Sequence, residues 1–312
     1  MSDSDNNWER EALTEIALAG IKEQRRSRRW GIFFKLLGFA YVLFFIIILS
    51  SNNINDPVSS TGKHTAIVKL SGGIMPGEPA GADNIIHGLQ DAFDNDNAAG
   101  VILEINSPGG TPVQSSMIYD EIKRLRSLNP KKPIYTVVTD ICASGGYYVA
   151  SATEQIYANK SSLIGSIGVR MSSFGFTGTM EKLGVERRQL TAGENKAMLD
   201  PFSPRNKKAE AHMGQLLAST HDHFINDVKA GRGDRLKNDP TIFSGLIWNG
   251  EQSIELGLVD ELGSSAFVAR DVIGQKEMVD YTFQPDFFER FSRRVSKTML
   301  NLIQTDQLQL WL

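Results

Sequence analysis

Residues 31–49 read GIFFKLLGFAYVLFFIIIL, and the part from Leu36 to Leu49 carries no charge. A helix needs ~20 predominantly apolar residues to cross a hydrocarbon core of ~30 Å, and this run has that length. It is apolar on every face, unlike a helix that packs one stripe against a soluble core. Lys35 lies near one end, where its stem can snorkel to the interface. Lys22, Arg25, Arg26, Arg28 and Arg29 stand just before the run, against one acid, Glu23. Residues 50–63 come after it, rich in Ser, Asn and Asp, with Lys63 as their one basic residue. Cations are retained on the cytoplasmic side, so these flanks predict a cytoplasmic N-terminus and a body across the membrane. The leader of 30 residues is long for a signal peptide, and LSSNN is a poor cleavage site, so the run is read as an uncleaved anchor.

The chain then divides into a cytoplasmic segment (1–30), the anchor (31–49), a linker (50–63), a globular domain (64–275) and a basic, amphipathic tail (276–312). The tail suits a membrane surface, the body of the protein or a neighbouring subunit equally well. Trp8 to Arg29 reads as a solvated or membrane-surface helix. With 33 basic and 36 acidic residues the formal charge is −3, so there is no broad positive field to attract nucleic acid. Cys142 is the single cysteine, which excludes an intrachain disulfide and a cysteine-rich metal site. Five scattered histidines do not suggest a metal centre, and no cofactor is expected.

From Thr65 on, short β-branched runs alternate with helical stretches. Strands are predicted at 65–70, 100–105, 134–139 and 155–158, and helices at 81–94, 112–128, 145–152, 205–230 and 252–256. Gly257 is expected to end the last of these as a C-cap. Such alternation argues for βαβ units and a largely parallel sheet. In the second helix Met117, Ile118, Ile122 and Leu125 are expected to face the sheet.

Three loops carry residues suited to chemistry. Asn106-Ser107-Pro108-Gly109-Gly110 comes directly after the strand VILEIN, where glycines let the backbone turn with its N–H groups exposed. Cys142-Ala143-Ser144-Gly145-Gly146-Tyr147-Tyr148 joins a strand to an apolar helix. Ser144 would sit on a tight turn near the positive end of a helix, with the Gly145 N–H aimed at an oxyanion. Ser144 could instead be a simple N-cap, and Cys142 reads as a core residue. The third loop runs from Gly193 through Lys196 to Phe202. A serine needs a base, and no histidine lies between His87 and His212. Lysine can serve once desolvation favours its neutral form, and the Ala-Met-Leu and Pro-Phe around Lys196 could supply an apolar pocket.

SPGG after a strand, then ASGGYY, IGSIGV, a GxxK before a proline, and GLVDELG resemble, in this order, the signal peptide peptidase A family of bacterial serine proteases, over about residues 65–275. The chain looks like the short form, with one copy of the motif set. The resemblance implies an α/β fold of the Clp protease/crotonase class, built of repeated ββα units. By residue it implies Ser144 as nucleophile and Lys196 as general base of a Ser-Lys dyad. Gly145 and either Gly110 or Gly109 match the oxyanion hole, and Ser166 in IGSIGV matches a serine that hydrogen-bonds the lysine. Clp-type relatives carry a histidine after the nucleophile, and this chain has none in IGSIGV. The resemblance also implies a ring-like homo-oligomer, with the dyad formed within or between subunits.

The expected reaction is peptide hydrolysis through an acyl-enzyme. Expected substrates are cleaved signal peptides or other apolar peptides at the outer face of the bacterial inner membrane. The alternatives are a crotonase-like acyl-CoA enzyme, which needs an acid/base carboxylate and a CoA pocket, and a non-catalytic envelope scaffold.

Overall fold

The computed structural model describes residues 5–51 and 62–283, and within the first helix the side chains of residues 14–16 and 18–47. The chain forms two units, one holding residues 1–56 and 285–312, the other residues 57–284. Most of the expected linker, and the tail beyond residue 283, lie outside the described residues.

In the first unit, helix α1 runs without a break over Asp5–Ser51. At 1.5 Å per residue it is about 70 Å long. The basic stretch and the apolar run, read separately in the sequence, are therefore one helix, because no Pro interrupts Trp30-Gly31 and the flanking residues are good helix formers. All its described side chains are exposed, and it is long and apolar enough to cross a bilayer. Trp30 stacks on Phe34 with ring centroids 5.6 Å apart, at the basic end of the apolar run, where aromatic rings favour the headgroup region.

The second unit is built on one twisted, largely parallel sheet. Its strands are β1 (His64–Ser71), β2 (Ala98–Ser107), β3 (Ile134–Ala143), β4 (Ile156–Ala158), β5 (Leu163–Gly165), β6 (Ile247–Trp248), β7 (Glu261–Leu262) and β8 (Met278–Asp280). Their order is β6-β5-β3-β2-β1-β8, with β4 pairing β3 and β7, and only β5–β6 is antiparallel. Helices α2 (Ala82–Asp94), α3 (Pro112–Leu128), α4 (Gly145–Ala150), α5 (Thr177–Leu183), α6 (Lys207–Arg232) and α7 (Gly250–Glu255) complete it. This is the α/β class implied by the motif order. The four predicted strands and five predicted helices all form, with ends displaced by a few residues. Gly257 has φ +75° and donates its N–H to the Ile254 carbonyl, as a helix-ending glycine does. Strand β8 lies beyond the expected boundary at 275 and pairs with β1 through Thr65–Ile67, so the sheet extends past it.

On one face of the sheet, Val68, Leu70, Leu103 and Ile105 pack with Ile85, Leu89, Ile118, Ile122 and Phe224 in the main core. On the other, Ile67, Ile102, Val137 and Tyr157 meet Val268 and Ala269 of a short helical segment at 265–273. Helix α3 buries Ser115, Ile118, Tyr119, Ile122 and Leu125, whereas Met117 stays 40% exposed. Met117 sits about 100° around the helix from Ile118, off the arc that reaches the sheet.

The feature that positions the site is a fork in β3. From Ile105↔Val138 to Ser107↔Cys142, β2 advances two residues while β3 advances four. The first half of β3 pairs with β4, and the half after the extra residues pairs with β5. Such an irregularity bends a strand and re-aims the residues at its far end. Here the residue at that end is Ser144.

Candidate active site

Ser144 begins where β3 ends. Its N–H donates to the Gly165 carbonyl (2.8 Å), continuing the β3–β5 ladder, and its carbonyl accepts from Tyr148 N–H (3.0 Å) inside α4. Satisfying both elements within one residue forces φ to +53°. Among the described residues, the non-glycine positions with positive φ are Ser144, Ser166 (+51°) and Leu199 (+59°). Each such conformation costs on the order of 1–3 kcal/mol and persists only where the surroundings over-determine it. Ser166 comes directly after β5, and its N–H donates to the Leu246 carbonyl at 2.7 Å.

The SPGG turn is held against Ser144 from the other side. The Ser107 hydroxyl, fully buried, donates to the Gly72 carbonyl (2.6 Å) and accepts from Gly109 N–H (3.1 Å). Ile74 N–H donates to the Gly109 carbonyl, and Thr111 N–H to the Ile74 carbonyl, both at 2.9 Å. Gly109 has φ +104°, and a Cβ there would lie 2.7 Å from the Ser144 Cβ. A Cβ on Gly110 would lie 2.0 Å from the Ile74 carbonyl oxygen. Glycine is required at both positions, by backbone conformation at the first and by close approach at the second.

Gly109, Gly110, Ser144, Gly145 and Ser166 line one cleft of about 670 Å³. Two of the expected oxyanion donors stay available: among the described residues, neither the Gly110 nor the Gly145 N–H has an acceptor. The Gly109 N–H is already committed to Ser107, which separates the two candidates that the sequence left open. The expected contribution of a helix dipole is small, because α4 has only six residues, so the individual N–H groups dominate. Cys142 is fully buried, and burial pushes its thiol up, which keeps it protonated and inert.

Residues that the sequence reading did not single out complete the cleft: Arg170, Thr220, Phe224, Ser244 and Gly245. Thr220 and Phe224 are one turn apart on α6, a spacing visible in the sequence, but only the fold turns that face toward Ser144. His221, beside Thr220, faces the Ile167 carbonyl at 3.2 Å and so braces the loop just after Ser166.

Lys196 is not part of this cleft. It is exposed, in a turn where its N–H donates to the Gly193 carbonyl at 3.2 Å. The turn belongs to a long excursion: from Arg170 to Lys208 no residue is buried, and Phe174, Leu183 and Leu190 are largely exposed. The apolar pocket expected around Lys196 is therefore not built by this chain on its own. The structure thus brings together Ser144, Gly109, Gly110, Gly145 and Ser166, and leaves Lys196 apart.

Comparison with known proteins gives a consistent assignment. Residues 126–278 match Peptidase family S49. The Na(+)/H(+) antiporter NhaA of Brucella melitensis is 41% identical over 215 residues, which cover 67% of this chain and 29% of the antiporter. Protease 4 of Haemophilus influenzae is 32% identical over 203 residues, covering 64% of this chain and 32% of that protein. The chain thus spans less than a third of the length of these relatives. A protein of Enterococcus faecium named for signal peptide peptidase SppA is 30% identical over 247 residues, 76% of this chain and 71% of that protein. With that shared extent, and with the motifs of the family gathered on the same sheet, the chain belongs to Peptidase family S49, the signal peptide peptidase A family.

Proposed function

We propose that the protein is a membrane-anchored serine peptidase in which Ser144 is the nucleophile and Lys196, supplied by a neighbouring copy, is the general base. The observation that carries this reading is the strained Ser144 at the head of α4, in a cleft with two N–H groups that have no acceptor. An activated serine needs a base and an oxyanion hole. In this reading Gly110 and Gly145 of the chain itself supply the oxyanion hole, and the base, Lys196, lies on an excursion that buries none of its own residues. Exposed apolar surface of that kind is characteristic of a partner-binding segment, and a second copy is the partner that also completes the dyad.

In the proposed sequence, neutral Lys196 takes the proton of the Ser144 hydroxyl while the oxygen attacks a peptide carbonyl. Gly110 and Gly145 donate to the oxyanion, each worth roughly 3–4 kcal/mol of barrier. Lys196 then protonates the departing amine, and water releases the acyl group from Ser144. Ser166, which lines the same cleft as Ser144, would orient the incoming lysine by a hydrogen bond. The cleft has no carboxylate among its lining residues, which favours hydrolysis through a lysine over the acyl-CoA alternative. Apolar peptides such as cleaved signal peptides suit an enzyme held by α1 at the outer face of the inner membrane.

The test is complementation. Ser144→Ala and Lys196→Ala are each expected to be inactive toward an apolar peptide and unreactive toward a fluorophosphonate probe. Co-assembled in detergent, the two inactive variants should regain part of the wild-type activity, because one copy supplies the serine and its neighbour the lysine. Full activity in either single variant would refute the dyad. A mixture that stays inactive would refute its assembly from two chains.

A further inference from the structure

The cleft wall beside Ser144 is made by two stacked rings, and something outside the cleft fixes them. Tyr148, four residues after the nucleophile, and Phe224 of α6 both line the cleft, with ring centroids 4.6 Å apart and planes 11° from parallel. The Tyr148 hydroxyl is not free: it donates to the carboxylate of Asp227, which is not itself a lining residue of the cleft. Asp227 lies three residues after Phe224, on the same side of α6, so one helical turn supplies both the ring and the acceptor. Tyr119 of α3 adds a third ring, 5.4 Å from Tyr148, and its hydroxyl donates to the Asp227 backbone carbonyl at 3.0 Å. Burial, together with the Asp227 charge, raises the Tyr119 phenol to about 12 and raises that of Tyr148 as well, so both remain donors at any physiological pH.

We infer that Asp227 is a positioning residue for substrate selection: by holding the Tyr148 hydroxyl on α6, it leaves the Tyr148–Phe224 wall apolar and makes that part of the cleft select an apolar substrate side chain. This rests on the peptidase reading and adds to it the residue that sets the preference. A buried hydroxyl without a partner costs free energy, so it seeks water or a polar group of the substrate. With Asp227 in place, the Tyr148 hydroxyl is satisfied, and a polar side chain set against the Tyr148–Phe224 wall finds only ring faces there. Without Asp227, the same hydroxyl becomes the hydrogen-bonding group that a polar side chain lacks.

The two partners therefore have unequal effects. Removing the acceptor frees a hydroxyl; removing the hydroxyl frees nothing on the cleft side, because Asp227 is only partly buried and remains accessible to water. The full-length protein in detergent would be assayed on quenched fluorescent peptides that differ in one residue, Leu or Val against Asn or Thr, at each position flanking the bond cleaved. Apolar pockets discriminate between such side chains by about 10–200-fold. At the position that selects, Asp227→Ala is expected to reduce the ratio of kcat/KM values about tenfold, chiefly by improving the polar peptides. Asp227→Asn keeps an acceptor and should keep the ratio. Tyr148→Phe should also keep it, and the double variant Asp227→Ala/Tyr148→Phe should restore it. Unchanged selectivity in Asp227→Ala, or no restoration by Tyr148→Phe, would overturn the inference while wild-type cleavage still upholds the peptidase. A wild-type protein that neither cleaves peptides nor labels at Ser144 would overturn the peptidase reading, and the selection role with it.

Discussion

The segment that carries Ser144 and the segment that carries Lys196 are built on opposite principles. Around Ser144, residues 142–152 are all buried except Ser144 itself, which is half-buried at the cleft. Ser107, Gly165 and Ile74 hold the turns there by backbone and hydroxyl hydrogen bonds. Around Lys196, helix α5 buries no residue, and the ion pair Arg188–Glu186 is open to solvent on both sides. The strained backbone at Ser144 is held by a rigid frame in the first region. The second has exposed apolar side chains in its place, which need an outside surface to order them. The comparison teaches that a single chain frames Ser144 and the free N–H groups of Gly110 and Gly145 closely, whereas the segment of Lys196 has no comparable frame within the chain.

The largest effects should come from the residues that define the two segments. Ser144→Ala and Lys196→Ala are each expected to lower kcat by more than about 10³-fold, with thermal unfolding unchanged for both. Unfolding of the Lys196 variant at a lower temperature would blur the contrast.

Next comes the frame of the first region. Arg232 is almost fully buried and donates to the Gly257 carbonyl and to Asp260, whose carboxylate also accepts from Ile156 N–H. Tyr147 of α4 donates to the neighbouring Leu258 carbonyl at 2.9 Å, so this network anchors the helix that follows Ser144. Arg232→Ala removes the buried cation of this network, leaves Asp260 only the longer 3.4 Å contact to Arg235, and should cost about 3 kcal/mol in urea unfolding. The matching substitution in the second region, Arg188→Ala, should change stability by less than about 0.5 kcal/mol. Equal losses would dissolve the distinction between frame and excursion.

A smaller effect is expected from titration. Burial by itself opposes ionisation of Asp260, but the hydrogen bonds and charge of Arg232, the Ile156 N–H and Arg235 overcome it and hold the carboxyl below its ordinary value. A depressed carboxyl stabilises the fold above the unfolded carboxylate range, about pH 4, and that stability is lost as pH falls through the native value. Asp260→Asn should therefore flatten the acid side of a stability–pH curve measured by urea unfolding. The smallest effect is expected from Leu190→Ser: no change in unfolding of the dissociated chain, but weaker association by sedimentation. Unchanged association would show that Leu190 is not part of the contact surface.

Much of the sheet was legible because its strands are β-branched runs bounded by turns. Helix α3 was legible because Ile118, Ile122 and Leu125 recur at helical spacing. The short strands were not: β6, β7 and β8 have two or three residues each, too few for a period, and form only because a neighbouring strand offers an edge. Motif order pointed to the turns of Ser144, Gly109 or Gly110, Gly145, Ser166 and Lys196, since turn chemistry is local, but it left Gly109 and Gly110 undivided and did not show that Lys196 lies away from the cleft. The wall formed by Tyr148 and Phe224 was not legible, because its partners lie 76 positions apart in the chain.

By itself, the sequence determined the apolar span, the alternation of strands and helices, and which loops could carry a nucleophile and its oxyanion donors. These depend on composition and on spacing along a single stretch of chain, and local sterics and hydrophobic periodicity suffice to set them. The tertiary structure alone decided that β3 forks, that Ser144 takes up a positive φ between two ladders, and that Gly110 rather than Gly109 keeps a free N–H. Each of these results from hydrogen bonds between segments far apart in sequence, whose pairing is fixed only when the whole sheet closes around its core.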